Sequence, residues 1–270
     1  MRLWTLPLMC AAIAGCDSAH EPKQAAAPPP VTFEGAQATN ASARVAHGER
    51  LSRVLGCRGC HTTSLQGQRF YELYASNLTR EIPKYNDEQL NRLIRAGIHP
   101  SGRDLWGMPS EIFQHLDDAD FAALTAYLRT FKPAGPETGK PLPFEPDTKK
   151  LIAEGKIVPA AQAVIRDKDI GPPDLGKPHA LGRYITQVTC AECHGPQLKG
   201  TPGDTPDLVA AGAYSRAEFE QLITKGVLAG GRKFKNPLMG EVARSRFSHL
   251  TRNERDALYA FLKARAERSQ

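Results

Sequence analysis

The sequence predicts an all-α protein of two tandem units joined by a proline-rich connection. Three observations carry this. Apolar residues recur at helical spacing behind helix-capping residues, and no alternating strand pattern of useful length appears. One pattern of residues occurs twice along the chain of 270. Each copy contains Cys-x-x-Cys-His, followed further on by a single methionine.

The elements follow in chain order. Arg2 precedes an apolar run over residues 3–14, broken by Pro7 and too short to span a bilayer, so residues 1–16 are expected to be a signal peptide. Residues 17–41 are small, polar or proline, including Pro28-Pro29-Pro30, and are expected to be a flexible tether. Fully extended, such a stretch reaches at most roughly 80–90 Å.

The two units occupy residues 42–131 and 179–270, and their repeat is direct. Ser64-Leu65-Gln66-Gly67 answers Gln197-Leu198-Lys199-Gly200, and Gly102-Arg103 answers Gly231-Arg232. Phe113-Gln114-His115-Leu116 answers Phe247-Ser248-His249-Leu250. Each unit is expected to hold three main helices. The first covers 42–55 or 180–188 and delivers the Cys-x-x-Cys-His motif. The second is capped by Asn86, or by the Ser215/Glu218 capping box; the third starts at Asp117, or at the Thr251/Glu254 box. Residues 132–178 carry nine prolines and are expected to form a strap packed over both units, with a turn or two of helix within 147–157.

The chemistry sits in Cys57-Arg58-Gly59-Cys60-His61 and Cys190-Ala191-Glu192-Cys193-His194. At this spacing two thiols add across the two vinyl groups of one haem, and the next histidine falls under the iron. A methionine thioether from across the ring completes six-coordination and raises the reduction potential. Of four methionines, Met1 and Met9 lie in the leader, leaving Met108 and Met239, one per unit. Two covalent haems, each with one His/Met pair, are therefore expected. A thioredoxin-like pair explains neither the histidine nor the methionine, and a zinc site needs four converging ligands. Six cysteines divide into four in the motifs and two, Cys10 and Cys16, in the leader, so none remains for a disulfide.

Over residues 42–270 the chain resembles the tandem dihaem cytochromes c, two class I cytochrome c domains in series. The resemblance implies thioether bonds at Cys57, Cys60, Cys190 and Cys193. It implies proximal ligands His61 and His194 and distal ligands Met108 and Met239. It also implies a crossing of first and last helices at Gly48 with Tyr127 and at Gly182 with Phe261. Asn77-Leu78-Thr79, Gly102-Arg103 and Met108-Pro109 are similar to small cytochrome subunits serving periplasmic dehydrogenases. Ile13-Ala14-Gly15-Cys16 resembles a bacterial lipobox, which implies an acylated Cys16; ordinary cleavage would leave a soluble periplasmic protein. Asp17 resembles the residue that retains such proteins on the inner membrane. Several acyl chains anchor stably at ~0.8 kcal/mol per buried methylene.

Two departures bear on the ligands. Pro206 resembles the proline whose carbonyl orients the proximal histidine, whereas the first unit has Ser76, so His61 is expected to be held differently. The first unit also has Thr62 where the second has Gly195. His115 and His249 are expected to be buried, hydrogen-bonded structural residues. His99 is expected on a surface loop, as a rival to Met108. Arg103 and Arg232 are candidates for pairing with haem propionates or for ordinary surface positions, and Trp106 for covering the haem edge or filling core.

Six-coordinate haems exchange electrons and offer substrate no open site, so electron transfer is the expected function. The alternatives are the cytochrome subunit of a dehydrogenase complex, and a dihaem peroxidase-like enzyme, against which a methionine in both halves argues. The net charge is +6, unevenly spread. Residues 42–131 hold eleven Lys and Arg against ten Asp and Glu; residues 179–270 hold fourteen against nine. The excess gathers near Met239 at Arg232, Lys233, Lys235, Arg244 and Arg246. An acidic redox partner, such as an oxidase domain, is expected there rather than nucleic acid, with the first haem taking electrons in; the alternative is a generally solvated basic face.

Overall fold

A computed structural model describes residues 29–234 and 236–268. The expected leader, with Cys16, and Lys235 lie outside the described residues. Among those described, residues 31–268 form one unit with a single apolar core running through both repeats.

The first repeat opens with α1 (Ala41–Val54), whose amino end is capped by the Asn40 side chain accepting from the Ala43 amide. The chain turns at Gly56, in the left-handed region at φ 81°, and enters α2 (Cys57–His61). A short antiparallel hairpin follows, β1 (Gln68–Phe70) with β2 (Leu73–Ala75). Three-residue strands are too short for a period-two signal, so the sequence did not announce them. Then come α3 (Leu78–Glu81), α4 (Asp87–Ala96) with the Asn86/Gln89 capping box, α5 (Ser110–Phe113) and α6 (Asp118–Leu128), capped by Asp117.

The connection between the repeats holds α7 (Pro146–Ala153) and α8 (Ala160–Asp167), the latter not foreseen. It is bound to the first repeat. Buried Asn77 donates to the carbonyls of Ala134 and Pro136 at 2.8 and 2.6 Å, and Glu72 accepts from the Thr148 hydroxyl at 2.9 Å. Leu105 accepts from the Ala160 amide at 2.8 Å. Towards the second repeat, Arg183 donates to the Pro172 carbonyl at 2.8 Å.

The second repeat opens with α9 (Ala180–Ile185), which runs through one π-type turn, Thr186–Cys190, into α10 (Ala191–His194). It continues with α11 (Arg216–Lys225) behind the Ser215/Glu218 box, α12 (Leu238–Ser245) and α13 (Arg252–Arg268). The Thr251/Glu254 box forms as well, its amides meeting side-chain oxygens at 2.8 and 3.2 Å. In each repeat the first and last helices cross at a glycine. A Cβ at Gly48 would lie 1.9 Å from the Ala123 carbonyl oxygen, and one at Gly182 would lie 2.2 Å from that of Ala257.

Within the expected tether Phe33 and Ala36 are buried, while Val31, Glu34, Gly35, Gln37, Thr39 and Asn40 are exposed. Phe33 is 1% exposed and stacks at a tilt on Tyr184, centroids 5.4 Å apart. The Phe33 and Glu34 amides donate to Asp120 and Glu254 at 3.0 and 2.9 Å. One large aromatic among small and polar residues is enough apolar area to be drawn into the core.

Candidate haem sites

The first site is a cavity of about 1270 Å³, its open mouth included, lined by the first repeat and by Glu192 of the second. One wall carries Cys57, Cys60 and His61; Met108 and Trp106 line it from the loop before α5. Leu78, Ile82, Leu93, Leu124 and Leu128 make the rest mostly apolar. An apolar slot with two thiols, an imidazole and a thioether suits a covalently attached haem.

The histidine is fixed by the backbone. The His61 Nδ1–H donates to the Ser76 carbonyl at 2.8 Å, and the His194 Nδ1–H to the Pro206 carbonyl at 2.8 Å. His61 is therefore not held differently, because the acceptor is a main-chain oxygen that serine supplies as well as proline. Burial holds both imidazoles below their ordinary pKa, and each donated Nδ1–H leaves Nε2 with its lone pair.

The loop after each motif repeats bond for bond. Gly67 and Gly200 donate to the carbonyls of His61 and His194 at 3.0 and 2.8 Å. Thr62, at φ 68° and ψ 167°, occupies the conformation of Gly195, at 72° and 162°. The glycine missing from the first repeat is thus replaced by a strained threonine.

Burial pushes the Cys57 and Cys190 thiols up to about 11. Reactive redox pairs need the opposite shift. Among the described residues no three His, Cys, Asp or Glu come together as a metal-sized group.

His99 sits half-buried in the loop after α4, as expected, and lines the first cavity, its Nε2 3.1 Å from the Tyr85 hydroxyl and its Nδ1 2.8 Å from Ser101 Oγ. Arg103 also lines it, and both Arg103 and Arg232 are exposed. Trp106 stands edge-on to Phe144 of the connection, centroids 5.2 Å apart. His115 and His249 are half-buried rather than buried, and His115 faces a polar cleft with Glu111 and Asp167. In the second repeat His194 is buried, Cys193 is exposed, and Met239 is half-buried against the core on the first turn of α12. Of the basic group near it, Arg232, Lys233 and Arg244 are exposed. Arg246 instead turns inward and pairs with Glu192 at 2.7 Å. Sequence reasoning did not single out Glu192 or Tyr85, which both line the first cavity.

Two helical repeats, each presenting a Cys-x-x-Cys-His turn, define an electron-transfer protein with two cytochrome c domains and two covalently bound haem c groups. The cytochrome c family profile matches residues 45–132 and again 179–266, and the chain belongs to that family. It is similar to the fructose dehydrogenase cytochrome subunit of Gluconobacter japonicus, 27% identical over 184 residues, which is 57% of this chain and 35% of that protein. It is also similar to a subunit of the nicotinate dehydrogenase of Pseudomonas putida, 26% identical over 215 residues, 73% of this chain and 18% of that protein. The chain spans about a third or less of these relatives' own length.

Proposed function

We propose that this chain is a dihaem cytochrome that takes electrons from a dehydrogenase and passes them to a further redox protein of a respiratory chain. Cys57 and Cys60 bind one haem, with His61 and Met108 on its iron; Cys190 and Cys193 bind the other, with His194 and Met239. The observation that carries this is the gathering of Cys57, Cys60, His61 and Met108 on one apolar cavity. The names of two relatives, one a fructose and one a nicotinate dehydrogenase component, support a dehydrogenase as donor. An acidic acceptor, such as an oxidase domain, fits the exposed Arg232, Lys233 and Arg244.

The chain's own residues set the redox behaviour. The carbonyls of Ser76 and Pro206 orient the imidazoles and strengthen them as ligands. The apolar wall excludes water and disfavours the extra charge of the oxidised iron. The test is Met108→Ala and Met239→Ala, followed by absorption spectra and carbon monoxide. The wild type is expected to bind no carbon monoxide and each variant to bind it at one haem. Ready binding to the wild type would overturn the closed-site assignment in favour of the peroxidase-like one.

The location belongs to the same proposal. Cys16, acylated after signal cleavage, holds the protein on the periplasmic side of the inner membrane. No helix among the described residues is long and apolar enough to cross a membrane. Cell fractionation of Cys16→Ser is expected to move the protein to the soluble periplasmic fraction; unchanged membrane association would remove the anchor.

A further inference from the structure

The two attachment segments meet, and one ion pair lies where they do. Glu192 stands between Cys190 and Cys193 in the second motif, yet its side chain lines the first cavity beside Leu55, Gly56, Cys57 and Cys60. Its Oε2 accepts from Arg246 Nη1 at 2.7 Å. Arg246 Nε donates to the carbonyl of Val54, the last residue of α1, at 3.1 Å. The guanidinium also lies against Gly56, where a Cβ would come within 2.7 Å of its Cζ. Arg246 Nη2 is buried and has no hydrogen-bond partner among the described residues.

The repeat shows that this contact is not a by-product of symmetry. Glu192 corresponds to Gly59, and Arg246, just before Phe247, corresponds to Ile112, just before Phe113. The equivalent positions are therefore neutral. The pair is one of several differences between the two sites, beside Arg58 opposite Ala191 and Thr62 opposite Gly195.

We infer that Arg246 and Glu192 form the electrostatic contact between the two haem segments and set the energy difference across which an electron passes between the haems within one molecule. The step is a one-electron exchange: one iron is oxidised as the other is reduced, and no bond is made or broken. In a partly desolvated setting a fixed cation favours the reduced haem beside it and a carboxylate favours the oxidised one. Arg246 and Glu192 act here as positioning residues, not as ligands.

The inference rests on both motifs carrying haem, which the haem content per chain checks separately. In the holoprotein, both midpoint potentials are followed by spectroelectrochemical titration, and electron exchange by flash photoreduction. Glu192→Gln leaves the guanidinium unopposed and should raise the affected potential; Arg246→Gln leaves the carboxylate unopposed and should lower it. A tenfold change in the electron's distribution between the haems, about 59 mV for a one-electron couple, is expected in each case. The exchange rate should not depend on protein concentration. With two haems per chain present, shifts of the same sign in both variants, or none, overturn the inference, since a purely structural contact has no reason to give opposite signs. So does an exchange rate proportional to concentration. Should Arg246→Gln fail to load haem, Glu192→Gln decides alone. Its carboxylate is 30% exposed and tolerates the amide, and an unchanged or lowered potential overturns the inference.

Discussion

The Tyr184 hydroxyl donates to Asp120 at 2.8 Å, and the other repeat holds the counterpart of that bond in Arg50 on Glu254 at 2.7 Å. Arg50 and Tyr184 each stand two residues after a crossing glycine, Gly48 or Gly182. Asp120 and Glu254 each stand three before the alanine, Ala123 or Ala257, on which that glycine packs. Thus α1 of the first repeat is tied to α13 of the second, and α9 of the second to α6 of the first. Both carboxylates are 0% exposed, and residues 33–34 donate an amide to each.

The two bonds should not be equal in strength. Tyr184→Phe removes one of three donors to Asp120, the others being the Phe33 amide and His47 Nε2, and should cost about 2 kcal/mol. Arg50→Leu strips the guanidinium from a buried carboxylate and should cost roughly 3–5 kcal/mol. Urea denaturation followed by circular dichroism measures both. A larger loss for Tyr184→Phe would contradict the ranking.

Phe33→Ala should cost about 3–5 kcal/mol, the usual range for deleting a buried ring. Limited proteolysis should then cut within residues 31–36, which resist in the wild type. Wild-type stability and protection in the variant would mean that this segment contributes nothing in solution.

Thr62→Gly should stabilise the first repeat by about 1 kcal/mol. The gain is the relief of a β-branched residue from a glycine-only region, less the chain entropy glycine adds to the unfolded state. Gly195→Thr should do the reverse in the second repeat. Thermal melting of the two variants should show shifts of opposite sign.

Gly48→Ala and Gly182→Ala place a methyl group on a carbonyl oxygen across each helix crossing. Each should cost about 3 kcal/mol and lower the yield of haem-loaded protein. Normal yield and melting temperature would show that the crossing can open without penalty.

Reversing charge at Arg232 and Lys233 should slow electron transfer to an acidic acceptor at low salt and flatten the dependence on ionic strength. Arg246 is left intact in this test because it faces inward. A salt slope unchanged from the wild type would rule out docking on this face.

The two haem motifs and the helices behind their caps were legible in the sequence because each depends on residues within a few positions of one another, and the repeat because the same short patterns recur. A capping box needs only four residues, and Cys-x-x-Cys-His only five. The tertiary structure decided what passes between distant segments. Ser76 does the work of Pro206 because a backbone carbonyl carries no residue identity. Phe33 leaves the tether because the Asp120 and Tyr184 surface that receives it exists only once the repeats have packed. Arg246 belongs by sequence to a basic surface cluster. It turns inward because Glu192 and the Val54 carbonyl, 54 and 192 positions away, offer its guanidinium partners that only the folded chain brings together.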